Sequence, residues 1–207
     1  YHYPYLPWTF IFSTPFYWLS IHLWGWFDER FVYLLLFVIM LLLTPGLTGQ
    51  PTHRLILVMI LGLNPIMGTD ITFGQNDVFV LTWVLLGLWL LRRGRFGLSA
   101  AVYGLACASK PTAWFLAPFF GLLLLGQDLC WRRESLSTLA RRAWPTFLIA
   151  GFLILPYALW DLDAMVDDIW RWSAGTAAVP YQIRGWGFAN FVLLAGGVES
   201  RLSYWPF

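Results

Sequence analysis

The 207 residues carry 13 Lys and Arg against 11 Asp and Glu, a formal charge of +2 at pH 7. They are 59% hydrophobic and 12% charged with a mean hydropathy of +0.64, whereas a soluble domain carries about 25% charged residues, so a water-facing surface over most of the chain is excluded. The small charge, split among short clusters between apolar blocks, offers no face to nucleic acid, and two cysteines, Cys107 and Cys130, speak against a disulfide framework or a metal-thiolate site.

The chain opens on Tyr1-His2-Tyr3-Pro4-Tyr5 without an initiator Met, a basic n-region or a cleavage site, and it closes on Tyr204-Trp205-Pro206-Phe207, where an apolar segment begins. Both ends are therefore expected to continue in a longer protein. Residues 1–27 mix Trp8, Trp18, Trp24 and Trp26 with Pro4, Pro7 and Pro15. Such aromatics prefer the headgroup level and proline interrupts helices, so this stretch is expected to lie in the interface, or to dip in and return, rather than to span. Six apolar stretches follow, Phe31 to Leu47, Leu55 to Gly68, Thr72 to Leu91, Phe96 to Leu116, Ala113 to Leu125 and Trp144 to Trp160, two of which overlap beyond Lys110-Pro111. A bilayer core of roughly 30 Å takes about 20 helical residues. The expectation is an all-α polytopic transmembrane helix bundle in a single membrane domain. Its parts are an interfacial stretch at 1–27, about six spanning helices over 28–160, and at 161–207 an outer loop with the start of a further membrane segment.

Basic residues in short loops orient such a bundle. The loops with Arg54, with Arg92, Arg93 and Arg95, and with Arg132, Arg133, Arg141 and Arg142 fall on one side, which is expected to be cytoplasmic. The other side holds nine of the 11 acids, including Asp70, Asp77, Asp161, Asp163, Asp167 and Asp168, and faces outward.

Polar residues cluster at the outer leaflet. The apolar run from Val78 to Leu91 covers only about 21 Å at the helical rise. Its helix spans only if Gly74-Gln75-Asn76-Asp77 lies within or against the outer leaflet, where polar groups usually line a cavity. The alternative is a thinned bilayer with this turn at the surface and Asn76 or Asp77 near the N-cap. Lys110 lies 15 positions after Arg95, and Asp77 lies 15 before Arg92. Two continuous helices joined by a tight turn would bring carboxylate and ammonium to one level, about 22 Å from the arginines. Gly97, Ala100, Ala101, Gly104 and Ala108 permit close approach of a neighbouring helix. The pair is then either a structural ion pair or part of a site in which Lys110 receives an anionic headgroup.

In order, Gly74-Gln75-Asn76-Asp77, an apolar helix, Arg92-Arg93-Gly94-Arg95, the small-residue run from Gly97 to Ala106 and Ser109-Lys110-Pro111 resemble the GT-C glycosyltransferases. Within that class they resemble in particular the bacterial polyprenyl-phosphate-dependent mannosyltransferases of family 87. Tyr3-Pro4-Tyr5-Leu6-Pro7 resembles that family's aromatic-proline segment, and the resemblance covers about residues 1–125. It implies an integral protein of the bacterial plasma membrane with an outward-facing site. The implied reaction is inverting transfer of a sugar, with mannose the first candidate, from a polyprenyl-phosphate-linked donor to a glycan, glycolipid or protein acceptor. It further implies that a first-loop acid, upstream of Tyr1, serves as base, and that the fragment alone is inactive. A positioned carboxylate to deprotonate an acceptor hydroxyl and cations for the departing phosphate suit that chemistry. By resemblance Gln75 and Asp77 line the sugar or acceptor pocket; Asn76, Tyr3 and Tyr5 are further substrate-binding candidates, and Lys110 and Arg184 are the cationic candidates for the phosphate.

Asp161, Asp163, Asp167 and Asp168 suit a divalent metal by ligand type but read more simply as a solvated helix end, and His2, His22 and His53 lack ligand spacing. No cofactor is expected. A transporter or lipid flippase with an intramembrane polar pathway is the alternative; it predicts repeats with broken helices in corresponding positions, and only Asn64-Pro65 suggests such a break.

Overall fold

A computed structural model describes residues 3–126, 133–172 and 176–177. Among these the regular structure is all helical: α1 Trp8–Trp24, α2 Arg30–Leu43, α3 Pro51–Gly62, α4 Pro65–Phe73, α5 Asp77–Arg92, α6 Phe96–Cys107, α7 Ala117–Leu125, α8 Arg133–Trp160 and α9 Leu162–Val166. Short 3₁₀ stretches at Thr44–Leu47 and Pro111–Leu116 extend α2 and lead into α7, and a π turn at Asp167–Arg171 follows α9. Residues Leu6–Ile154 form one compact unit; Tyr1–Tyr5 with Leu155–Phe207 belong to a second.

The prolines of the first stretch do not interrupt its helix, which corrects the expectation. Pro7 stands at the entry to α1, where its missing N–H costs no helical bond, and Pro15 lies inside a continuous 17-residue helix. Gly25 ends it in the left-handed region (φ 74°), with its N–H on the Ile21 carbonyl.

The direction of α1 follows from α2 and α5. The rings of Tyr33 and Phe79 meet at 6.3 Å, and the Thr82 hydroxyl donates to the Leu36 carbonyl at 3.3 Å, a separation of 46 positions in both contacts. These two helices therefore run parallel in one register, which places Glu29 level with Gln75 at their N-terminal ends. Two hydroxyls of α1 reach that level: Thr9 contacts Asn76 and Ser13 donates to Glu29. The first turns of α1 thus cross the helix ends, while the Trp8 and Phe12 rings pack inward on Phe79 and Trp83. Further along α1, Tyr17, Trp18, Leu19, Leu23 and Trp24 stay exposed.

Two helices among the described residues are long and apolar enough to cross a membrane, Arg30–Leu47 and Ser135–Trp160. A third span exists if the pair α3 and α4, bent by 40°, counts as one. The break sits at Asn64-Pro65, where the Asn64 side chain accepts from the Ile66 N–H at 3.0 Å and starts α4 afresh. The expected six crossings thus meet two or three helices of spanning length. The shortening has local causes: α5 begins only at Asp77, α6 ends at Cys107, and Pro111 opens a 3₁₀ stretch before α7.

Helices α5 and α6 form an antiparallel hairpin that turns at Gly94 (φ 72°). The Ser99 hydroxyl donates to the Gly87 carbonyl at 2.7 Å across it. On the other side of α6 the small residues admit α8: Thr146 Oγ1 donates to the Ala100 carbonyl at 2.8 Å, and a Cβ on Gly104 would stand 2.8 Å from the Thr146 carbonyl oxygen. Tyr103 stacks on Phe120 at 4.1 Å and donates to the Ala113 carbonyl at 2.6 Å, tying α6 to α7.

Candidate functional site

At the end of the α5–α6 hairpin opposite the Gly94 turn, Lys110 Nζ lies 2.6 Å from Asp77 Oδ1, with the side chains 23% and 43% exposed. The equal spacing from the arginine turn therefore does bring the charges to one level, although not along two continuous helices. Helix α6 ends at Cys107, Ala108 and Ser109 turn, and Lys110 is extended (φ −158°, ψ 138°) before the 3₁₀ stretch. Asp77 occupies the first turn of α5, where the helix dipole favours an acid.

Asn76 is the N-cap residue of α5, but its side chain makes no capping bond and is completely buried. Its Nδ2 donates to Thr9 Oγ1 at 3.3 Å, while its Oδ1 has no hydrogen-bond partner. Thr9, equally buried, donates in turn to the Ser109 carbonyl at 3.3 Å. The Leu6 and Trp8 N–H groups reach the Ser109 and Ala108 carbonyls, both at 2.9 Å. Residues 6–9 therefore clamp the turn that presents Lys110.

Asp70 adds a second acid. It projects from α4, is 7% exposed, and lies within electrostatic reach of both Asp77 and Lys110. Its own carbonyl accepts from the Gln75 N–H at 2.7 Å, which holds the Gly74-Gln75 turn against α4; the Gln75 side chain is exposed. Arg30 Nη1 reaches the Thr72 carbonyl at 3.4 Å, and its guanidinium is paired with Asp28.

Gln75, Asn76, Asp77 and Lys110 thus gather at one place, with Gln75, Asp77 and Lys110 open to a ligand and Asn76 sealed behind them. Tyr3 and Tyr5 belong to the second unit, edge to face at 5.3 Å, and Arg184 lies outside the described residues. Thr9 was not singled out from sequence, and Ser109 and Asp70 entered only within the Ser109-Lys110-Pro111 motif and among the acids. Nothing local marks the contact of Thr9 with Ser109, since only the fold brings them together, and the bend at Asn64 that turns Asp70 inward was not visible.

The acidic run after α8 begins a further helix. Asp161 Oδ1 caps α9 through the Ala164 N–H at 2.9 Å, and Arg171 pairs with Asp163 at 2.8 Å and Asp167 at 3.7 Å. The Asp163 bond, foremost among these contacts, raises the Arg171 pKa. No group of three His, Cys, Asp or Glu side chains placed for a metal occurs among the described residues. His22 lies against Trp18, its ring 4.4 Å away. The presumed membrane segment near the C-terminus also falls outside the described residues.

Residues 2–126 match a family model described as alpha-(1->6)-mannopyranosyltransferase, N-terminal domain. No curated protein and no solved structure matches the chain.

Proposed function

The chain belongs to the alpha-(1->6)-mannopyranosyltransferase family, and from that premise we propose that it is part of a GT-C type membrane glycosyltransferase that takes mannose from a polyprenyl-phosphate donor. Transfer takes place on the outer face of the membrane, to a hydroxyl of a glycan, glycolipid or protein. In this reading the basic loops face the cytoplasm, α1 lies in the outer interface, and the pair Asp77–Lys110 opens outward. The family match covers the whole of the polar constellation.

One observation carries the site assignment: a charged pair at the end of two apolar helices that is neither buried nor fully solvated. An ion pair this exposed contributes about 0–1 kcal/mol, so stability alone is a weak reason for it. The ammonium has three donors and a modest hold on Asp77, and it exchanges readily for the singly charged phosphodiester of the donor, whose negative charge grows as the sugar leaves. Lys110 then stabilises the charge that develops on the departing lipid phosphate. Gln75 and Asp77 flank it and accept or donate to sugar hydroxyls. Tyr3, Tyr5 and Arg184 are further candidates from the sequence. The reading calls for no cofactor.

A transporter draws on a different observation, the 40° break between α3 and α4. Inverted-repeat transporters pair such a break with another in the corresponding half. Among the described residues the 3₁₀ stretch at Pro111–Leu116 follows a different pattern, and the family match favours the enzyme.

The test uses the complete gene product with a polyprenyl-phosphate mannose donor and three variants, Lys110→Met, Asp77→Asn and both together. Phosphate binding predicts that Lys110→Met weakens donor affinity about tenfold or more, the cost of a lost charge-assisted bond, and that Asp77→Asn does not restore it. A purely structural pair predicts the reverse: damage from either single change and near-normal transfer in the double variant.

A further inference from the structure

We infer that Thr9 is a positioning residue of this site, a latch whose single hydroxyl sets the spacing between the chain segments that carry Asp77 and Lys110. The inference rests on the reading of Lys110 as a ligand of the donor phosphate. Asn76 directly precedes Asp77, and Ser109 directly precedes Lys110. The Thr9 hydroxyl touches both predecessors, accepting from Asn76 Nδ2 and donating to the Ser109 carbonyl, each at 3.3 Å.

A hydroxyl is the smallest side-chain group that donates and accepts at once, which is what this junction between α5 and the α6 turn requires. Both bonds are long, and neither is strong in itself. Their weight comes from burial, since Thr9 and Asn76 are 0% exposed. The Asn76 Oδ1 already lacks a partner, so loss of the Thr9 hydroxyl leaves the Nδ2 end without its partner there as well. A buried amide deprived of protein partners at both ends turns toward other partners. Asn76 is the N-cap residue of α5, so its turning displaces the first turn of that helix and Asp77 with it. The Leu6 and Trp8 N–H bonds keep the clamp on Ala108 and Ser109 in place, so the two segments shift relative to one another. Binding groups are sensitive on this scale, with a misplacement of about 1 Å costing up to about 100-fold.

The experiment measures affinity of the complete gene product in detergent for a short-chain polyprenyl-phosphate mannose. Thr9→Val keeps the volume and removes both bonds; Thr9→Ser keeps the hydroxyl. Thr9→Val is expected to weaken binding about tenfold, and Thr9→Ser to stay within about twofold of native. Because Thr9 acts through the spacing of Asp77 and Lys110, Thr9→Val should cost markedly less in a Lys110→Met background than in the native protein. A second readout leaves the donor out: bismaleimide cross-linking of Asp77→Cys with Lys110→Cys, whose yield Thr9→Val should change and Thr9→Ser should not. If Thr9→Val does not fold, Asn76→Leu removes the same contact from the other side and is expected to bind equally weakly. Native-like affinity in Thr9→Val or Asn76→Leu, or losses that multiply with Lys110→Met, would overturn the latch. If Lys110→Met binds the donor normally, the phosphate reading falls, and unchanged cross-linking decides the latch by itself.

Discussion

Glu29 shows what one residue reveals at the outer rim. It stands just before α2, takes a hydrogen bond from Ser13, and burial raises its carboxyl above the usual range, opposed by Ser13 and assisted by the neighbouring charge of Asp28. Asp28 itself is held below the usual range by its hydrogen bonds with Arg30. For an acid raised on folding, the folded state binds more protons than the unfolded one between the ordinary and the raised pKa. Stability is therefore greatest below that window and falls as pH rises through it. Glu29→Gln, which keeps an acceptor for Ser13, should melt at a higher temperature than native above the window and lose the pH dependence there; a lower melting temperature at neutral pH would show that the ionised carboxylate stabilises. At this scale the sequence was informative where spacing alone decides. Asp77 and Lys110 were found by counting from the arginines, and they pair. Thr9 escaped, as did the contacts of Ser109 and Asp70, because they depend on a segment 67 positions from Asn76 in the case of Thr9, and on the bend at Asn64 in the case of Asp70.

Among elements, the α6–α8 contact is the most demanding. A Cβ at Gly104 would lie 2.8 Å from the Thr146 carbonyl oxygen and 3.0 Å from the Ile149 Cβ, and neither atom is the free end of a flexible side chain. Gly104→Leu should destabilise by about 1–3 kcal/mol, the usual cost of overpacking, while Gly97→Leu, with open space at its Cβ, should not. Equal melting temperatures for the two variants would show that α8 does not pack there. The small-residue pattern of this helix was legible, because only small side chains allow backbones so close. Helix ends were less so. Hydrophobic length runs through Pro15 without interruption, since one proline in an otherwise supported helix removes a single bond. It also runs past Cys107, where the chain leaves the helix before Lys110. Hydropathy records where lipid is tolerated, whereas a helix stops where its backbone finds other partners, as Ala108 and Ser109 do in the clamp of residues 6–9.

For the whole molecule, composition settled the class and the apolar blocks settled the helical fold, but the number of crossings did not follow from them. Six apolar stretches correspond to two or three helices of spanning length, because Asn64-Pro65 and the start of α5 at Asp77 divide the rest. Sidedness rests on the arginine clusters and gives a direct test of the central claim, the proposal that Gln75, exposed beside the Asp77–Lys110 pair, opens outward at a donor site. A Gln75→Cys variant of the complete gene product, in a background where Cys107 and Cys130 are replaced, is treated in intact cells with an impermeant maleimide. Arg95→Cys at the opposite end of the hairpin serves as the control. The account predicts that Gln75→Cys reacts from outside, that polyprenyl-phosphate mannose slows the reaction, that Lys110→Met abolishes this protection, and that Arg95→Cys reacts only after permeabilisation. Reaction of Gln75→Cys only after permeabilisation, or a rate the donor leaves unchanged, would contradict it.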